Sequence, residues 1–138
     1  MWSVAKKFYD YLITFPERLY PFSMIGNNKE RITGEKAYKF LAEKNKRLYN
    51  DAYSLQSPKL LLWRQVFHIV CSTIFVLIAD QMFRHLSFFN GFAFLVLVSV
   101  SLAVQEFYLH PKYYDQSFQK GVIDFTTWML PILAYVVF

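Results

Sequence analysis

The chain has 138 residues, a net charge of +5 with histidines neutral, 55% hydrophobic residues and 20% aromatics. That composition excludes intrinsic disorder, and a single cysteine, Cys71, excludes a disulfide-built secreted domain. Of the 15 Lys and Arg residues, 12 lie at or before Arg64, so the averages join a polar half to a very apolar one; a nucleic-acid partner is not expected from charge confined in this way.

Met1 to Phe15 lacks the long apolar core and small-residue cleavage site of a secretory signal peptide. Trp2, Ala5, Phe8, Tyr9, Leu12 and Ile13 recur at helical spacing, with Lys6, Lys7 and Asp10 largely off that stripe. The pattern predicts an amphipathic helix ended by Pro16, of the kind that lies in a bilayer interface. Packing of that face on the rest of the protein is the competing reading. Pro16 to Thr33 is turn-rich, with Pro21, Gly26, Asn27 and Asn28, and reads as a loop with Leu19, Tyr20 and Phe22 tucked against apolar surface. No phosphate-loop spacing accompanies the glycine.

Thr33 can cap a second amphipathic helix running to about Leu55, with Glu35 in its first turn. Ala37, Leu41, Leu48, Ala52 and Leu55 form its apolar face. Lys44, Lys46 and Arg47 make a basic surface that is either a solvated face or an attractor of anionic headgroups. Residues 1–59 are thus expected to form a cytoplasmic or interfacial helical region. Ser57 and Pro58 break the second helix.

Residues 60–138 carry three apolar segments, about 60–83, 86–107 and 121–138. The first holds a charge-free run from Gln65 to Ala79, extended past Arg64 by Leu60, Leu61, Leu62 and Trp63. An arginine one turn inside a helix end can snorkel to the headgroups, and Trp63 suits the interface. The second contains 20 uncharged residues from Leu86 to Gln105, enough to cross a hydrocarbon core. The third is charge-free from Phe125, with Pro131 inside it, which membrane helices tolerate. The expected fold is an all-α integral membrane protein: N-terminal cytoplasmic amphipathic helices followed by three transmembrane helices. Three crossings place 14 basic residues on one side and Arg84 alone on the other. The positive-inside rule then puts the N-terminus in the cytoplasm of a cell or inner membrane and the C-terminus on the far side.

Alternation brings residues distant in sequence to one depth. Arg64 and His68 begin span one, Glu106 ends span two, and Lys120 and Asp124 begin span three. Ionisable groups at membrane depth face a partner or water. Glu106 and Asp124 opposite Arg64 and His68 would meet that need as an ion-pair cluster. The same five residues are candidates for headgroup binding, and Glu106, Asp124 and His68 are weak catalytic candidates. No HExxH or CxxC spacing points to a metal, and no cofactor is implied. On the far side Asp80 and Arg84 stand four apart and can pair. The aromatic and basic stretch from Tyr108 to Gln116 reads as an interfacial loop.

A basic amphipathic N-terminus before three spans, with acids on the cytoplasmic side, resembles the layout of small prokaryotic lipid kinases. Their acidic motif is not matched residue by residue, and no residue role is carried over. The expected function is that of a non-catalytic accessory or scaffold subunit of a membrane assembly, partnered by the bilayer and by itself or other membrane subunits. The alternative is a small membrane enzyme acting on a lipid or lipid-linked phosphate at the cytoplasmic leaflet.

Overall fold

A computed structural model describes residues 2–49 and 58–138, with side chains from 4 to 44 and from 58 onward. It is mostly helical and falls into two compact units, Met1–Arg64 and Gln65–Phe138. In the first unit, α1 (Trp2–Ile13) and the short α2 (Phe15–Arg18) precede a two-stranded antiparallel hairpin and α3 (Gly34–Tyr49). Thr14 separates the first two helices. Its hydroxyl donates to the Asp10 carbonyl at 2.8 Å, and Pro16, in the first turn of α2, has no N–H to continue the ladder of α1.

The hairpin is a departure from the expected plain loop. Strands β1 (Met24–Ile25) and β2 (Arg31–Ile32) pair Met24 with Ile32 and Ile25 with Arg31. Gly26, Asn27 and Asn28 provide the turn, which closes through Lys29 at φ 62°. Two-residue strands are too short for alternation to show in sequence. Gly34 then takes φ 57°, a left-handed value suited to glycine, and opens α3.

Tyr20, Ala37, Tyr38 and Leu60 form the apolar core of this unit, edged by Met24, Ile32, Leu41, Ala42 and Trp63. The Tyr20 ring meets Phe22, Tyr38 and Trp63 edge-on at 5.4, 5.5 and 6.4 Å. Leu19 departs from expectation: it is half exposed, while Tyr20 takes the buried place. Trp63 donates its indole N–H to the Pro16 carbonyl at 2.7 Å. The expected continuation of α3 to Leu55 lies outside the described residues, as do the side chains of Lys46, Arg47 and Leu48; Lys44 is exposed.

Three helices are long and apolar enough to cross a membrane: Pro58–His85, Phe88–Tyr114 and Phe118–Val137. The first is α4, which opens on Pro58 at a position where no amide donor is needed. The second is α5 (Phe88–Val104), a π-turn at Gln105–Leu109 and α6 (His110–Tyr114), so the expected loop from Tyr108 is helical as far as Tyr114. The third is α7 (Phe118–Val137), with Pro131 inside it. Ser87 caps α5 and Ser117 caps α7, each hydroxyl accepting an amide N–H at 3.3 Å. In the second unit Ala79, Leu95, Leu102, Trp128 and Ile132 form the apolar core.

Candidate functional site

Buried positions on the long helices recur mostly at four-residue spacing, and many are polar. On α4 they are Leu60, Arg64, His68, Ser72 and Ala79; on α7 they are Lys120, Gly121, Asp124, Trp128 and Ile132. The outward positions are Leu62, Val66, Ile69, Val70 and Ile74 on α4, and Val122, Ile123, Leu130 and Leu133 on α7.

Proline explains the π-turn. Pro111 has no N–H for the Phe107 carbonyl, and its ring would crowd that carbonyl in a regular α-helix. The ladder widens there, and the His110 N–H bonds the Gln105 carbonyl five residues back. Asp115 then ends the helix in a left-handed conformation, φ 51°, and turns Gln116 back toward the π-turn.

Glu106, on that π-turn, is fully buried. His110 Nδ1 lies 3.0 Å from its Oε2, and since a carboxylate only accepts, the imidazole presents Nδ1–H. Gln116 Nε2 donates to Oε2 at 2.8 Å, and Gln105 Nε2 donates to Oε1 at 3.1 Å. Asp124 is likewise fully buried and accepts from Lys120 on its own helix and from Gln65 Nε2 at 2.7 Å. His68 Nδ1 stands 3.9 Å from the same acid, and its ring stacks on Trp128 at 4.7 Å. Ser72 donates its hydroxyl to the Trp128 carbonyl.

Gly121 sets how closely these helices approach. A Cβ at that position would come 2.9 Å from the Glu106 carbonyl oxygen, a backbone atom that cannot swing aside. Among the described residues no group of three or more His, Cys, Asp or Glu is gathered as metal ligands.

The expected site residues are therefore placed in two groups. Glu106, His68, Lys120 and Asp124 belong to the second unit, where each acid has its nearest basic partner four residues away on its own chain segment, His110 for Glu106 and Lys120 for Asp124. Arg64 belongs to the first unit, where it is buried and donates to the Tyr38 hydroxyl at 3.1 Å, a partner the sequence did not point to. Burial raises the pKa of nearby Glu17, opposed by the Arg64 and Lys39 charges. Gln105 was expected beside Glu106 at the end of the second span, whereas the amides of Gln65 and Gln116 were missed as site members. Their only signal was polar amides flanking otherwise apolar spans.

No family model, curated protein or solved structure matches this chain.

Proposed function

We propose that this chain is a small integral membrane protein that acts as a non-catalytic accessory or scaffold subunit of a membrane assembly. The observation that carries the reading is the state of the two acids. Glu106 and Asp124 are each 0% exposed, and each is engaged by donors from its own chain. A general base must reach its substrate's proton. These carboxylates reach Gln, His and Lys side chains, as groups do whose task is to fix helix packing at low dielectric.

The remaining features fit the same role. The 12 basic residues at or before Arg64 favour a cytoplasmic first unit, and three crossings then bring the C-terminus to the far side. Val4, Phe8 and Leu12 of α1 are 69%, 65% and 49% exposed, so none of the described residues covers that face. With Lys6 and Lys7 beside it, α1 suits the inner interface, its apolar side in the bilayer. Lys44, Lys46 and Arg47 on α3 add attraction to anionic headgroups. The large outward aromatic surface of the spans suits self-association or other membrane subunits.

The experiment is purification in mild detergent, with the intact mass of the assembly measured beside the stability and lipid-phosphate turnover of Glu106→Gln and Asp124→Asn. A defined oligomer or complex, with variants less stable and no turnover in any, supports the proposal. Stable single variants that abolish a turnover seen in the parent chain contradict it and favour an enzyme on lipid-linked phosphate.

A further inference from the structure

At the other end of the spans lies a cavity of about 390 Å³ lined by Phe83, Phe88, Phe92, Leu95, Tyr135 and Val136. Four of these six residues are aromatic. Phe83 meets Phe88 at 5.3 Å and Tyr135 at 6.0 Å, and Phe88 lies parallel to Phe92 at 6.2 Å. Gly91 makes room for this arrangement, since a Cβ there would come 2.7 Å from the Phe83 ring. Tyr135 joins the lining to an ion pair. Tyr135 Oη donates to Asp80 Oδ1 at 3.0 Å, and Arg84 Nε donates to Asp80 Oδ2 at 2.8 Å. The Arg84 side chain is 68% exposed, which leaves its Nη donors for a second anion.

We propose that this slot binds the phosphocholine headgroup of a membrane lipid. Aromatic faces carry negative potential and attract a cation. The phenylalanine rings offer no acceptor to an N–H group, and both Asp80 oxygens already accept, one from Tyr135 and one from Arg84, so a primary ammonium would lose its water with poor replacement, whereas trimethylammonium has no N–H to satisfy. Tyr135 strengthens the effect, because donating its phenolic proton to a carboxylate enriches its ring in electrons. Asp80 adds negative charge at the rim. Arg84 bonds the other oxygen of Asp80, and its remaining guanidinium donors can take the phosphate of the same zwitterion. Phe88 and Phe92, 74% and 48% exposed, continue the slot along α5 as a surface for acyl chains, which favours a lipid over free choline. The inference rests on the membrane reading above.

The test uses the full chain in a maltoside detergent, titrated with short-chain phosphatidylcholine and read by native mass spectrometry. Phosphatidylethanolamine and phosphatidylglycerol of the same chain length serve as comparisons. The choline lipid is expected to bind about tenfold more tightly than either. Tyr135→Leu should lose about tenfold and Asp80→Asn somewhat less, while Tyr135→Phe, which keeps the ring, retains most of the affinity. If Tyr135→Leu fails to fold, Phe92→Leu carries the same comparison. Equal affinity for the three headgroups would overturn the proposal and leave an acyl-chain groove. Tetramethylammonium alone binding as tightly as the lipid would overturn the lipid source. Failure of the membrane reading shows separately, as release of the chain from membranes by alkaline carbonate, because binding in detergent does not need insertion.

Discussion

The two units of this chain differ in what they bury beside their apolar cores: among the described residues the first buries one charged side chain, Arg64, and the second buries seven polar or charged ones. In Met1–Arg64 the core is apolar, made by Tyr20, Ala37, Tyr38 and Leu60, and charges such as Lys36, Lys39 and Glu43 cover α3. In Gln65–Phe138 the interior holds His68, Ser72, Glu106, His110, Gln116, Lys120 and Asp124, while Ile74, Leu77, Leu97, Val100 and Leu133 face outward. On the proposed membrane reading the difference is one of solvent. Water favours burying apolar surface. Hydrocarbon gives apolar groups no reason to leave the surface, but an unpaired polar group there costs several kcal/mol, so polar side chains turn inward and find one another. The second unit follows the second rule over three helices, and this inversion is the best support for the membrane proposal. Exposed Phe8 and Leu12 on α1, with Leu19 and Ile25 beyond it, are where the first unit breaks the rule for water.

The sharpest way to break this comparison is to remove one partner from each kind of charge pair. Lys120→Met leaves Asp124 without its cation in a fully buried place, and should cost about 3–5 kcal/mol, read as a fall in detergent melting temperature. Adding Asp124→Leu to that variant should recover much of the loss, because no orphan charge remains. The matching change in the first unit, Lys39→Ala, breaks an exposed pair with Glu35 and should leave the melting temperature unchanged. Equal effects in the two units would mean that the polar interior is reached by water.

Glycine sharpens the contrast next. Gly121→Ala forces a Cβ against the Glu106 carbonyl and should cost about 1–3 kcal/mol, since neither backbone can give way. Gly34→Ala meets nothing closer than 3.8 Å, but it places a side chain at φ 57°, and should cost about 1–2 kcal/mol from backbone strain alone. Overpacking and strain can be separated by Gly34→Asn, which tolerates that φ and should recover part of the loss.

Much of this contrast was legible in the sequence. The three long helices follow from uncharged runs such as Leu86 to Gln105, and the depth-matching of Glu106, Lys120 and Asp124 follows from alternation. The pairing was not legible. His68 was expected opposite the acids and stands 3.9 Å from Asp124, but the nearer basic partners, His110 and Lys120, lie four residues from the acids on their own segments, as helical spacing allows. The π-turn that seats Glu106 depends on Pro111, which in sequence marked only a loop. Tyr38 as the acceptor for Arg64 required a contact between residues 26 apart, and no periodic pattern carries such a contact. Gln65 and Gln116 carry no charge and so left no mark on a reading built from charge.

A smaller effect concerns pH in the first unit. Burial raises the pKa of Glu17 above its ordinary value. The folded form then holds the proton more tightly than the unfolded form, so this group adds stability as pH falls through the raised folded value toward the unfolded one, and removes it as pH rises. Glu17→Gln should flatten that slope and raise stability at neutral pH, as measured by denaturant midpoints of the full chain in detergent at several pH values. A slope unchanged by the substitution would assign it to another group.

Topology in sealed vesicles tests the central claim most directly. On a Cys71→Ser background, single cysteines are placed at Leu86, in the connection before the second long helix, and at Lys112, in the last turn of that helix, and both positions are exposed. A membrane-impermeant maleimide added to right-side-out vesicles is predicted to label Leu86→Cys at once and Lys112→Cys only after the membrane is opened. Prompt labelling of both positions in intact vesicles would contradict a crossing between them, and with it the account of the polar interior as the inside of a membrane bundle.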